Sequence, residues 1–305
     1  MKNYYFKILP MITGFAIILD DEILYLSNEN KFLMFEIVLF IEKLIRSINP
    51  NNGWRLKNIF FEGKSGRESM IIRHVVTEDL QNLFYCITGD FLSNSEEADN
   101  LLKEFYEKVN ANYDDLNKFG EYSKKSEFSK VIRLITGYLW DKYHYPIEDE
   151  EIKYAYAQIE NKIIYCGISA QGLPIISQLY DTSLLNDLKR EITEENIEIF
   201  SSNLSARLAT IAMNTQIRAQ MNIKEIQFDD LLDYTSKKLI LFGDINGYSL
   251  DFVASGDFNR IKEIFEQLEE RVSQEEILKQ EFSGDLKPYR SLKTYLNEII
   301  QEFDQ

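Results

Sequence analysis

One order of elements is read twice along this 305-residue chain: a hairpin, a long helix, three strands and a closing helix. In the first pass, Gly14 to Leu26 with the polar tip Asp20-Asp21-Glu22 reads as two strands joined by a tight turn. Phe32 to Ile48 then sets Met34, Ile37, Val38, Ile41, Leu44, Ile45 and Ile48 three and four apart, the spacing of one helix face. Asn49, Pro50 and Gly53 stop that helix. Trp54 to Glu62, Ser69 to Thr77 and Leu83 to Phe91 are short strand-like runs. After Ser95, an N-cap candidate, Ala98, Leu101, Leu102, Phe105, Tyr106 and Val109 share a face behind an acidic first turn, which predicts the closing helix.

The second pass starts with Tyr154 to Ile159 and Lys162 to Tyr180, the latter turning at Ala170-Gln171-Gly172. Leu184 to Ala219 is helical in one or two pieces. Ile223 to Asp233, Lys237 to Asp244 and Tyr248 to Ser255 are the strands, and Asn246-Gly247 is a strong hairpin-turn signal. A helix from Asp257 closes the unit with Ile261, Ile264, Phe265, Leu268 and Val272. Setting Ala16–Ser27 against Cys166–Ser177, at an offset of 150 residues, matches strand to strand and turn to turn, which marks an internal duplication.

These readings predict an α+β chain of two tandem five-stranded antiparallel sheets, each flanked by helices. The expected divisions are a first domain over 1–120, a helical connector over 121–151, a second domain over 152–282 and a C-terminal helix over 283–305. Phe128 to Tyr143 is the connector's helix, and Pro146 with Glu148-Asp149-Glu150-Glu151 marks its exposed end. In the terminal helix Leu292, Tyr295, Leu296, Ile299 and Ile300 form an apolar face that either docks on the body or is offered to a groove.

Charge and apolar content bound the partners. The net charge of −16 repels phosphate backbones and anionic headgroups, so nucleic acid and acidic membranes are poor partners. The acidity is uneven: 19 basic and 25 acidic residues precede Tyr156, against 15 and 25 from there on. A partner with a basic contact surface is therefore expected, with binding that weakens as salt rises. The apolar stretch near the start is interrupted by Asp20-Asp21-Glu22 and is too short to span a bilayer. Cys86 and Cys166 lie far apart in strand-like runs and read as buried free thiols, which fits a reducing, cytoplasmic compartment.

Motifs that could carry chemistry each meet a plainer reading. Gly63-Lys64-Ser65 resembles the tail of a phosphate-binding loop, but Asn58 stands where the pattern needs glycine and a strand, not a helix, follows. Asp244, Asn246, Gly247 and Asp251 resemble a calcium loop with the glycine too early and no closing glutamate, so a hairpin turn is the better reading. Glu148 to Glu151 reads as a solvated acidic run. His74 and His144 lack companions at ligand or triad spacing. No catalytic, cofactor-binding or metal-binding residue is assigned. Tyr4, Tyr5, Phe6, Tyr143 and Tyr145 fall outside the predicted cores and read as cover for a domain seam or as interface aromatics.

The duplicated order resembles the longin and roadblock families. Ile168-Ser-Ala-Gln-Gly-Leu-Pro-Ile-Ile-Ser177 looks like the first hairpin of roadblock proteins, and the small-residue helix with Ala206, Ala209, Ala212 and Ala219 is similar to their central helix. The first half looks more like a longin domain. The resemblance implies a non-catalytic interaction protein, a regulator or scaffold of a small Ras-like GTPase acting on nucleotide exchange or hydrolysis, with another longin/roadblock protein as an alternative partner and dimerisation an available arrangement. Were hydrolysis stimulated by an inserted arginine, Arg67 and Arg73 are the candidates. The competing expectations are a structural subunit that binds no GTPase and an enzyme whose site is built from scattered carboxylates.

Overall fold

The structure is a computed structural model that describes residues 12–48, 53–64, 66–91, 95–143, 161–182, 184–185, 191–230 and 237–303. It divides into two compact units, Met1–Leu39 with Lys57–Tyr154 and Phe40–Leu56 with Ala155–Gln305. The class is α+β, and every described strand pairing is antiparallel. Strand β3 is itself divided between the units at Leu56 and Lys57, so the strands do not separate into two independent five-stranded sheets as expected.

Unit 1 opens with β1 (Ile12–Leu19) and β2 (Glu22–Leu26), turned at Asp20-Asp21, where Asp20 takes a φ of 47°. Helix α1 (Phe32–Ile48) follows, then β3 (Trp54–Gly63), β4 (Gly66–Val76) and β5 (Asn82–Gly89). The strands lie in the order β2-β1-β5-β4-β3. Helix α2 (Glu96–Asn110) starts where Ser95 accepts a hydrogen bond from the Ala98 N–H at 3.1 Å, which satisfies one of the donors a helix start leaves open. Two further helices, α3 (Phe119–Ser123) and α4 (Ser126–Lys142), complete a core in which Phe15, Ile17, Tyr85 and Ile87 meet Phe105, Phe119 and Phe128. Phe15 and Phe105 pack edge to face with centroids 5.2 Å apart. Helix α1 covers the other sheet face, with Phe35 against Gly14.

Unit 2 repeats the plan with β6 (Lys162–Ala170), β7 (Leu173–Leu179), α5 (Glu194–Ala219), β8 (Met221–Asp230), β9 (Lys237–Ile245), β10 (Tyr248–Gly256) and α6 (Phe258–Ser273). Its strand order, β7-β6-β10-β9-β8, is that of unit 1 element for element. Both hairpin turns use two residues with positive φ, Gln171-Gly172 and Asn246-Gly247, as the right-handed strand twist requires. Asp257 caps α6 by accepting from Arg260 N at 2.9 Å. The second half of α1 belongs here: the Arg218 guanidinium lies 4.9 Å from the centre of the Phe40 ring, and the Trp54 and Phe228 rings are 5.7 Å apart.

The C-terminal helix α7 (Arg290–Phe303) is docked, burying Leu292, Leu296, Ile299 and Ile300 in the core that α6 shares with β6, β9 and β10. It begins seven residues later than expected because Gly284, at φ 89°, and Pro288 occupy the turn before it. Leu184 and Leu185 are buried ahead of α5, and the long helix itself starts only at Glu194, after its Thr193 cap. The expected strand Tyr154 to Ile159 lies outside the described residues.

Candidate functional site

The turns show that the two units correspond at an offset of 151, not 150: Asp20-Asp21 is matched by Gln171-Gly172. One residue matters, because a single-residue slip moves every side chain of a strand to the other face. At the corrected register Ala16 and Ile18 correspond to Gly167 and Ser169. Their cross-strand partners are Cys86 and Phe84 in unit 1 but Asp251 and Ser249 in unit 2. The face under the long helix is therefore apolar at these four places in unit 1, whereas unit 2 has polar side chains at three of them and glycine at the fourth.

That polar face opens into a groove of 470 Å³ beside the C-terminal half of α5. Its walls are Ala209, Ala212 and Met213 from the helix and the Gln171-Gly172 turn. The floor comes from alternate positions of the strands, Ser169, Asn222, Phe242, Asp244 and Ser249, with Ser249 directly opposite both Asp244 and Ser169. Asp244 Oδ1 accepts from the Gly247 N–H at 3.1 Å, so the hairpin turn fixes its carboxylate.

Behind the floor, Ser249 Oγ donates to Asp251 Oδ1 at 2.7 Å. Asp251 is fully buried, and its Oδ2 has no hydrogen-bond partner among the described residues. Burial raises its pKa to about 7, opposed by the Ser249 hydrogen bond. The Tyr165 hydroxyl, raised by burial and then by the Asp251 charge, lies across Gly167, where any Cβ would collide with it. Glycine at 167 is what leaves room for that ring.

The residues singled out from sequence are scattered. Lys64 sits at the exposed β3–β4 turn and β4 resumes at Gly66, so no helix N-terminus faces the Gly63-Lys64 stretch; Ser65 is outside the described residues. Asn246-Gly247 is a hairpin turn, and among the described residues no acidic, histidine or cysteine group is gathered for a metal. His74 Nε2 is 2.8 Å from Asn82 Oδ1 and its ring packs on Phe84. Arg73 lies 3.9 Å over the Tyr106 ring, and Arg67 is exposed on β4. Cys86 and Cys166 are buried free thiols whose pKa burial pushes up. Tyr143 donates to Glu104 at 2.9 Å within unit 1, beside the Lys142–Glu104 ion pair at 2.6 Å; desolvation would raise Glu104, but these bonds hold it low. Glu148 to Glu151, His144, Tyr145, Tyr4, Tyr5 and Phe6 lie outside the described residues.

Sequence reasoning missed Ser169, Ser249 and Tyr165, and weighed Asp251 only as the last member of a calcium-loop pattern that it set aside for a hairpin turn. The available signal was the strand alternation: Gly167 and Ser169, and Ser249 and Asp251, place small or polar residues where a buried strand face calls for apolar ones. No family model, curated protein or solved structure matches this chain.

Proposed function

We propose that this protein is a non-catalytic interaction module, a regulator or scaffold of a small Ras-like GTPase, built from two longin/roadblock-like units. The observation that carries the reading is the shared strand order, second-first-fifth-fourth-third, with a long helix after the first hairpin and another after the last strand. Exposed apolar side chains one helical turn apart support it: Met213 and Ile217 on α5, and Leu134 and Tyr138 on α4. Large exposed apolar groups in proximity mark partner surfaces more often than single ones do. No helix among the described residues is long and apolar enough to cross a membrane. The two buried free thiols favour a reducing compartment, the cytoplasm.

Regulation would work by differential binding. A surface that prefers one switch conformation of the GTPase shifts its nucleotide state by the size of that preference and no more. The test is retention of purified Ras-like GTPases from the same source on the immobilised full chain, each loaded with GDP, with a GTP analogue or left empty. Retention that depends on the nucleotide supports the reading; none for any of them, with light scattering showing a stable oligomer instead, replaces it with a structural subunit.

A further inference from the structure

We propose that the groove beside α5 receives an arginine side chain of the protein partner, an inference that rests on the interaction reading above. The groove presents a carboxylate and a committed hydroxyl as acceptors. Asp244 presents a carboxylate held in place by Gly247, and Ser249 uses its own proton on Asp251, which leaves its oxygen as an acceptor in the groove lining. Asn222 and Gln216 add amide carbonyls. A guanidinium, with five N–H donors in a planar fork, matches such a set better than a compact ammonium does. The lining also suits the rest of the side chain: Ala212 and Met213 of the wall and Phe242 of the floor give the methylene stem apolar surface.

Charge favours the same occupant. The Asp244 carboxylate on the floor draws a cation into the groove, and Asp251, fully buried behind Ser249, adds to that pull to the extent that it is ionised. Lys224, the basic residue on the wall, already has an interaction of its own. The excess of 25 acidic over 15 basic residues from Tyr156 onward adds a long-range field of the same sign. Unit 1 provides the contrast: the places of Ser249 and Asp251 are taken there by Phe84 and Cys86.

The experiment titrates the ¹⁵N-labelled full chain with the peptide Ac-Gly-Arg-Gly-NH₂ and, separately, with the same peptide carrying citrulline, which keeps the shape and loses the charge. The arginine peptide should shift the amides of Gly172, Gly247 and Ser249 progressively, and citrulline should not. Asp244→Asn, at an exposed position that leaves the core untouched, should weaken the binding about 2–5-fold, the range of a solvent-accessible ion pair. Absence of shifts, equal shifts from citrulline, or unchanged affinity in Asp244→Asn overturns the proposal. A GTPase retained equally well by the wild type and Asp244→Asn would sink the groove while leaving the interaction reading standing. Peptide shifts at these three amides without retention of any GTPase would keep the groove and sink that reading instead.

Discussion

Replacing Asp251 with asparagine should make the protein more stable at neutral pH, by an amount that shrinks steadily as the pH falls toward about 4. Asparagine keeps the shape and can still accept the Ser249 hydrogen bond, but it cannot ionise. In the folded chain burial holds the Asp251 carboxyl at about 7, against an ordinary value of 3.8. Between about pH 4 and 7 the folded chain keeps a proton there that the unfolded chain has released, so this group lowers stability as pH rises through that window and adds nothing further above it. The full gap amounts to about 4 kcal/mol, at about 1.4 kcal/mol for each tenfold change in proton affinity. From pH 5 to pH 8 the variant should gain about 3 kcal/mol relative to the wild type. Urea unfolding of both proteins at pH 5, 6, 7 and 8 reads this directly, because the many other carboxylates cancel in the difference. Asp251→Cys, which installs the residue found at the matching place in unit 1, should lose the same pH dependence. A difference that stays constant across the series, or that shrinks with rising pH, would refute the buried-acid account.

Other substitutions probe the packing. Gly167→Ala forces the Tyr165 ring off its place and should cost about 1–3 kcal/mol, the usual penalty of overpacking, with altered tyrosine fluorescence; unchanged stability would show that the ring has room to spare. Leu296→Ala should cost about 2–5 kcal/mol and speed proteolysis within α7, whereas a loss under about 0.5 kcal/mol would mean that this helix is not docked. Ser95→Ala removes the cap of α2 and should cost about 1 kcal/mol by thermal or urea unfolding, with Ser95→Asp restoring it; failure of the aspartate to rescue would argue against a capping role.

Local signals were legible in the sequence because their physics is local. Ser95 and Asp257 cap the helices they precede, Asn246-Gly247 makes the turn its φ values require, and the apolar spacing of Phe32 to Ile48 marks α1 from end to end. What was not legible depends on distant partners. The pattern of α1 cannot say that Phe40 belongs with Arg218 in unit 2, since the apolar spacing runs on through both halves of the helix. The hairpin alignment missed by one residue because Ala170-Gln171-Gly172 leaves the two-residue turn ambiguous until the backbone places Ala170 in β6. Asp251 entered the sequence reading only through its distance from Asp244, in a loop pattern set aside for a hairpin turn; the cross-strand register with Gly167 is what puts it beneath α5. Tyr165 gave no sign that its hydroxyl would cover that glycine.

Nucleotide-dependent recognition of a GTPase, as proposed above, is read most directly from the affinity of the full chain for one retained GTPase in its GDP-bound, GTP-analogue-bound and empty forms. One form should bind at least about 10-fold more tightly than another, a coupling of about 1.4 kcal/mol, and the preference should persist as salt weakens all three. Equal affinities for the three forms would contradict it.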